Sequence, residues 1–264
     1  MPTAHINHIN VYFERAGSGD PLLFISGSHG DLRNRPNQFD TVLAERFDLI
    51  SYDQRGLGQT DNPPGEFTMV DYAEDAATLL AHLDVGSVPV VGVSFGGMVA
   101  QELAVRYPEQ VSKLVLACTS SGGAGGASYP LQDFAKLPPE ERAIAQIRQA
   151  DLRHDEAWAA ANPERWQRLV ELTQANVRPD RDVDGGAKQL RARADHDTYE
   201  RLPNLRMPVL LCAGKYDGIA PVANMEAIHR QIPGSEIRYF EGGHMFMVQD
   251  KSAYPAIADW LAAD

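Results

Sequence analysis

Basic residues are scarce in this chain. Lysine and arginine together number 24 against 36 aspartates and glutamates, a formal net charge of -12. That balance argues against nucleic acid and anionic membrane surfaces as partners. No apolar run reaches the ~18 residues of a membrane span, so no membrane partner is expected. The N-terminal stretch MPTAHINHINVYFERAG lacks a basic region followed by an apolar one, and no secretory leader is expected. Only two cysteines occur, Cys118 and Cys212. Each follows an apolar strand-like run and reads as a buried, unpaired thiol. Nothing demands an oxidising compartment, and a cytoplasmic location is expected. Histidines, cysteines and acids show no metal-ligand spacing, and no glycine-rich phosphate loop follows a first strand. Neither a metal nor a cofactor is expected.

What is present is a large apolar fraction, 44% of 264 residues, enough for one sizeable core. Apolar runs alternate with helical patterns. INVYFERAG, PLLFIS, FDLISYD, VPVVGV, KLVLACT, MPVLLCAG and SEIRYFEG read as strands. FDTVLAERF, MVDYAEDAATLLAHLD, GGMVAQELAVRYP, VANMEAIHRQIP and YPAIADWLAA read as helices. Such alternation predicts an α/β fold, a mostly parallel twisted sheet with helices on both faces. The low-complexity patch SSGGAGGAS, residues 120–128, marks a boundary. From Leu131 to Leu202 the strand runs vanish, and PPEERAIAQIRQADLRHDEAWAAANPERWQRLVELTQANV reads as helical. RPDRDVDGG interrupts that pattern and AKQLRARADHDTYERL resumes it. The expected organisation is a core of residues 1–120 and 203–264, with residues 121–202 inserted as a small helical cap. A cap belongs over the carboxyl edge of the strands, where open α/β sheets bind ligands.

Gly92-Val93-Ser94-Phe95-Gly96 sits where a strand turns into a helix. A nucleophile on so sharp a turn needs small neighbours, and its hydroxyl then stands at a helix N-terminus. There the Phe95 N–H can face a developing oxyanion. A serine hydroxyl needs a base, and the base an orienting acid. His244 follows the last strand run and two glycines, and Asp217 follows the run ending at Cys212. The order Ser94, Asp217, His244 is the serine–acid–histidine order.

These segments resemble the α/β-hydrolase superfamily, together with YDQRGLGQTDNP, VVGVSFGGMVAQELAVRYPEQVSKLVL, PVLLCAGKYDGIAP and EGGHMFMVQD, over nearly the whole chain. Within it the chain is similar to cofactor-free enzymes with a small cap: 3-oxoadipate-type enol-lactonases, cofactor-independent haloperoxidases and related esterases. The resemblance implies an oxyanion hole completed by a residue after the strand PLLFIS. Relatives carry His-Gly there, whereas this chain reads Ser26-Gly27-Ser28, with His29-Gly30-Asp31 three residues on. Strand register favours Ser28 as donor and leaves the His29–Asp31 stretch as the rival. His29 itself reads equally as pocket lining or as a solvated loop residue. Asp53 and Arg55 would support the site through contacts to backbone. The Asp-Gln-Arg-Gly wording is also similar to proline iminopeptidases. His154, Trp158, Trp166 and His196 fall in the insertion, each as a packing or substrate-touching residue.

The function implied is hydrolysis of a small-molecule carboxylic ester or lactone through an acyl-enzyme on Ser94. Carbon–carbon bond hydrolysis, peracid formation, iminopeptidase action and ligand sensing without turnover all use the same constellation and stay open. So does a homo-oligomer.

Overall fold

The computed structural model describes residues 2–175 and 178–263. Asn176 and Val177, the last two residues of the long helical stretch quoted above, lie outside them. In chain order the elements are β1 (Thr3–Ile6), β2 (Ile9–Ala16), β3 (Pro21–Ile25), α1 (Val42–Arg46), β4 (Asp48–Tyr52), α2 (Met69–His82), β5 (Val88–Val93), α3 (Phe95–Arg106) and β6 (Val111–Ala117). Then come α4 (Pro139–Ala150), α5 (Glu156–Ala161), α6 (Pro163–Ala175) and α7 (Val183–Ala194). The series closes with β7 (Val209–Gly214), α8 (Val222–Gln231), β8 (Glu236–Phe240), α9 (Phe246–Gln249) and α10 (Ala253–Ala262).

The strands form one eight-stranded sheet in the order β1-β2-β4-β3-β5-β6-β7-β8. β1 and β2 pair antiparallel, as do β2 and β4, and every other neighbouring pair is parallel. The continuous apolar runs are explained by burial on both faces. Successive side chains point to opposite sides of a strand. Leu23, Ile25, Val90, Leu114, Leu116 and Leu211 pack under α2, α3 and α8. Leu22, Phe24, Val91, Val115, Ala117 and Leu210 face α1 and α10 on the other side. α3 is the most enclosed helix, with ten of its residues, Phe95 to Ala104, buried without a break.

Three details depart from the sequence reading. β1 was not expected: four residues with alternating burial give too short a signal to register. FDTVLAERF is not one helix but a 3-10 turn at Gln38–Asp40 and a separate α1, each with its own side-chain cap, Asn37 and Thr41. RPDRDVDGG does not interrupt helix up to its end, because α7 begins at Val183 and takes Gly185 and Gly186 into its first turns. Gly185 lies against backbone, where a Cβ would stand 1.9 Å from the Gly56 carbonyl oxygen, and Gly186 lies against the His29 ring. The cost of glycine in a helix is accepted there for close approach.

Candidate active site

The carboxyl ends of β3, β5, β6, β7 and β8 lie side by side, and the functional candidates sit on the turns that leave them. Ser94 follows β5 directly, with φ 55° and ψ -116°, a conformation uncommon for a residue with a side chain. Its surroundings hold it there. The Ser94 N–H donates to the Ala117 carbonyl at 2.8 Å. Its own carbonyl accepts from the Thr119 hydroxyl at 2.7 Å and the Gly97 N–H at 2.9 Å. The glycines of the motif are demanded by contact as much as by torsion. A Cβ on Gly96 would fall 2.1 Å from the Ile25 carbonyl oxygen, and one on Gly92 2.5 Å from the Gly96 carbonyl oxygen.

His244 reaches back from the turn after β8. Its Nε2 lies 2.9 Å from Ser94 Oγ, and its Nδ1 lies 2.8 Å from Asp217 Oδ2. The other carboxylate oxygen of Asp217 accepts the N–H groups of Ile219 and Ala220, at 2.8 and 2.9 Å. The acid is therefore fixed before the imidazole meets it. Asp217 is buried, and Ser94 keeps 8% exposure. The geometry gives the imidazole one nitrogen to receive the serine proton and another held by a carboxylate.

Cys118, just past β6, adds a group that the sequence did not connect with the site. Its sulfur, an Asp217 oxygen and a His244 nitrogen lie within 4.8 Å of one another. Burial first, and then the Asp217 charge, push the thiol well above its ordinary range. It stands as a neutral SH beside a histidine and an acid already bonded to each other, a poor set for a metal. Both cysteines are free and buried.

After β3 the chain runs past the serine: a Cβ on Gly27 would lie 3.9 Å from Ser94 Oγ. The backbone N–H groups of Ser28 and Phe95 have no acceptor among the described residues. The His29 N–H, in contrast, is taken by Gln189 Oε1 at 2.9 Å, and the Gly30 N–H by the Gly27 carbonyl. His29 lines a cavity of about 670 Å³ together with Ser28, Asp31, Leu172, Arg181 and Met245. That volume falls within the ~300–1,000 Å³ usual for ligand pockets. Burial and then the Arg181 charge hold the His29 imidazole below the usual histidine range.

Asp53 acts on backbone as expected, accepting the Leu32 and Gln59 N–H groups at 2.7 and 2.9 Å. Arg55 does not: it grips the carboxylate of Asp75 through Nε and Nη2, at 2.7 and 2.8 Å. A buried guanidinium needs a charged partner, and α2 supplies one. Of the insertion residues singled out, His154 and Trp158 pack on each other with ring centres 4.5 Å apart and planes tilted by 53°. Trp166 packs on Ala143, Ile147 and Val170 with Arg148 over its ring. Neither pair lines the large cavity. His196 is buried beside a different one.

The helices between β6 and β7 touch several of the loops at this edge. The His244 N–H donates to the Ala150 carbonyl, Gly218 N–H to the Gln149 carbonyl and Leu152 N–H to the Tyr216 carbonyl. Gln189 holds His29, and Lys188 binds Asn62 and the Pro63 carbonyl.

Comparison with known proteins gives the following. A family model described as alpha/beta hydrolase fold matches residues 20–251. A Mycobacterium tuberculosis protein named as a non-heme bromoperoxidase, BpoC, is 43% identical over 112 residues, 42% of this chain and 42% of its own length. 3-Oxoadipate enol-lactonase 2 of Acinetobacter baylyi is 26% identical over 263 residues, covering 96% of both chains. The structure of a thermophilic esterase from Thermogutta terrifontis superimposes with a TM-score of 0.75 at 27% identity, covering 96% of this chain and 93% of the other.

Proposed function

The chain belongs to the α/β-hydrolase fold family, and from that premise we propose that it is a serine hydrolase cleaving a small-molecule carboxylic ester or lactone. The observation that carries this reading is the hydrogen-bonded series Ser94 Oγ, His244 Nε2, His244 Nδ1 and Asp217 Oδ2, at 2.9 and 2.8 Å. Relatives named as an enol-lactonase and an esterase support the substrate class.

Ser94 Oγ attacks the acyl carbonyl while His244 Nε2 takes its proton. Asp217 keeps the imidazole in the tautomer with Nδ1–H and stabilises the imidazolium. The N–H groups of Phe95 and Ser28, uncommitted among the described residues, receive the tetrahedral oxyanion. Collapse breaks the ester C–O bond, and the imidazolium gives its proton to the leaving alkoxide. Water, deprotonated by the same nitrogen, then frees the acid and restores Ser94. Residues 121–202 serve as the cap. The contacts of Gln149, Ala150 and Gln189 with the loops around Ser94 support that role.

Ser94→Ala tests the reading. Turnover of p-nitrophenyl acetate should fall by roughly 10⁴ to 10⁶ in kcat with the thermal melt unchanged. The unaltered protein should run well beyond one equivalent of product. Wild-type turnover in Ser94→Ala would refute the mechanism, and a single burst that stalls would point to ligand sensing instead.

A further inference from the structure

α7 presents Gly186, Gln189 and Arg193 inward, at i, i+3 and i+7, and all three are buried. They follow the sheet edge. Gly186 and Gln189 meet His29, after β3, and Arg193 Nη1 donates to the Tyr129 carbonyl, in the chain that follows β6, at 2.8 Å. Ser94 follows β5, the strand between these two.

Arg193 is 5% exposed. Its Nε and Nη2 are buried with no hydrogen-bond partner among the described residues. Burial alone lowers its pKa, to about 10, with no neighbouring charge offsetting it. It is thus a cation at neutral pH without a counter-charge among the described residues. The acids around the neighbouring His196 are engaged elsewhere: Glu102 is held by Arg106 and Arg201, and Asp197 accepts the Tyr199 N–H. His196, also 5% exposed, leaves its Nδ1 without a partner. Both residues line a cavity of about 280 Å³ together with Met98, one turn beyond Ser94 on α3, and Ser120. A buried guanidinium left unpaired is strongly destabilising.

The two orphaned nitrogens are the pair on one edge of the guanidinium. That edge presents two parallel N–H groups and fits a carboxylate. In this protein Arg33, Arg55 and Arg153 each grip an aspartate through the same Nε–Nη2 edge.

We propose that this cavity is a carboxylate-binding site, in which the Nε–Nη2 edge of Arg193 takes both oxygens. The carboxylate comes from one of two sources: the far end of the ester or lactone held at Ser94, or a separate small carboxylic acid. The first source rests on the hydrolase reading; the second does not.

Two measurements decide. In the first, wild type and Arg193→Met are melted in sodium glutarate and in sodium chloride at equal ionic strength. Glutarate should raise the wild-type Tm by a few degrees, as mass action requires of a ligand well above its Kd, and should not raise that of Arg193→Met. In the second, kcat/KM is compared for mono-p-nitrophenyl glutarate and p-nitrophenyl valerate. The ratio of charged to neutral ester should drop about 10- to 100-fold in Arg193→Met, the worth of a charge-assisted hydrogen-bond pair. A purely structural arginine would lower both rates together and leave the ratio alone. Loss of the ratio assigns the carboxylate to the substrate. Loss of the glutarate shift with an unchanged ratio assigns it to a separate acid. If Arg193→Met does not fold, the unaltered protein still decides: no glutarate-specific shift and no preference for the charged ester overturn the site. If no ester is turned over at all, the melts alone judge it.

Discussion

Gly96→Ala asks whether the nucleophile turn and the end of β3 must touch. The added Cβ would stand 2.1 Å from the Ile25 carbonyl oxygen and 2.5 Å from that of Ser26, where ordinary contact begins at 3.4 Å. Both obstacles are backbone, so no rotamer change relieves them. α3 and the β3 end must part by more than an ångström. That separation lies between the two N–H groups proposed to hold the oxyanion, Phe95 on α3 and Ser28 two residues past Ser26. A displacement of ~1 Å can cost about 10²-fold in rate, and outright loss of one oxyanion donor about 10² to 10³ in kcat. Gly96→Ala should therefore lower kcat by ~10² to 10³ with KM little changed. Stability sums two opposed effects: overpacking costs about 1–3 kcal/mol, and alanine in place of a helical glycine returns up to about 1 kcal/mol. The protein should stay folded, with a Tm lower by several degrees at most. Steady-state kinetics on a p-nitrophenyl ester and a thermal melt are sufficient. A Gly96→Ala enzyme with wild-type kcat would mean that the oxyanion is held elsewhere.

Ser28→Pro, which deletes the proposed donor N–H, should cost about 10² or more in kcat, while Asp31→Pro costs less; the reverse order, in proteins that both melt cooperatively, moves the oxyanion hole three residues on. Two buried groups pull the pH dependence of stability in opposite directions. Burial raises Asp53 to about 6 against the Leu32 and Gln59 N–H groups, and burial lowers His196 to about 4. The folded state holds the Asp53 proton more tightly than the unfolded chain, so its contribution is full below pH ~4 and is lost as pH rises through 6. His196 is the converse: its contribution is full above pH ~6.5 and lost as pH falls toward 4, each amounting to about 3 kcal/mol at most. Melts from pH 4 to 7 should show Tm rising more steeply with pH in Asp53→Asn than in wild type, and less steeply in His196→Gln; three parallel curves would show that neither group titrates in that window.

The parallel strands are legible in sequence, and with them the positions of Ser94, Asp217 and His244, because each residue lies on the turn that follows one of them. β5 and β7 write themselves as unbroken apolar runs, and the edge strand β8 as an amphipathic one. β1 is not legible, since four edge residues carry too little pattern. The start of α7 is misread because Gly185-Gly186 is a helix breaker locally and a contact surface only once Gly56 lies against it. Arg55 was expected on backbone because its partner, Asp75, is twenty residues away on α2, and pairing at that range leaves no local mark. Arg193 is hidden for a similar reason. It belongs to a run of arginines and acids typical of a solvated helix, and only packing against the Tyr129 carbonyl marks it as buried. Cys118 reads correctly as a buried thiol, but its nearness to Asp217 depends on β6 and β7 being neighbours.

The uneven enclosure of the helices has a consequence for motion. α3 is buried from Phe95 to Ala104, whereas α5 buries no residue and α4 only Ala143 and Ile147. Amide hydrogens of α3 should exchange with solvent only when the whole molecule opens, while those of α4 and α5 exchange through local opening. The helix that follows Ser94 is thus tied to the global unfolding event, and the helices α4 and α5 are not. Substitutions that loosen α5 or the outer face of α4 should therefore leave the Ser94 hydroxyl where it is.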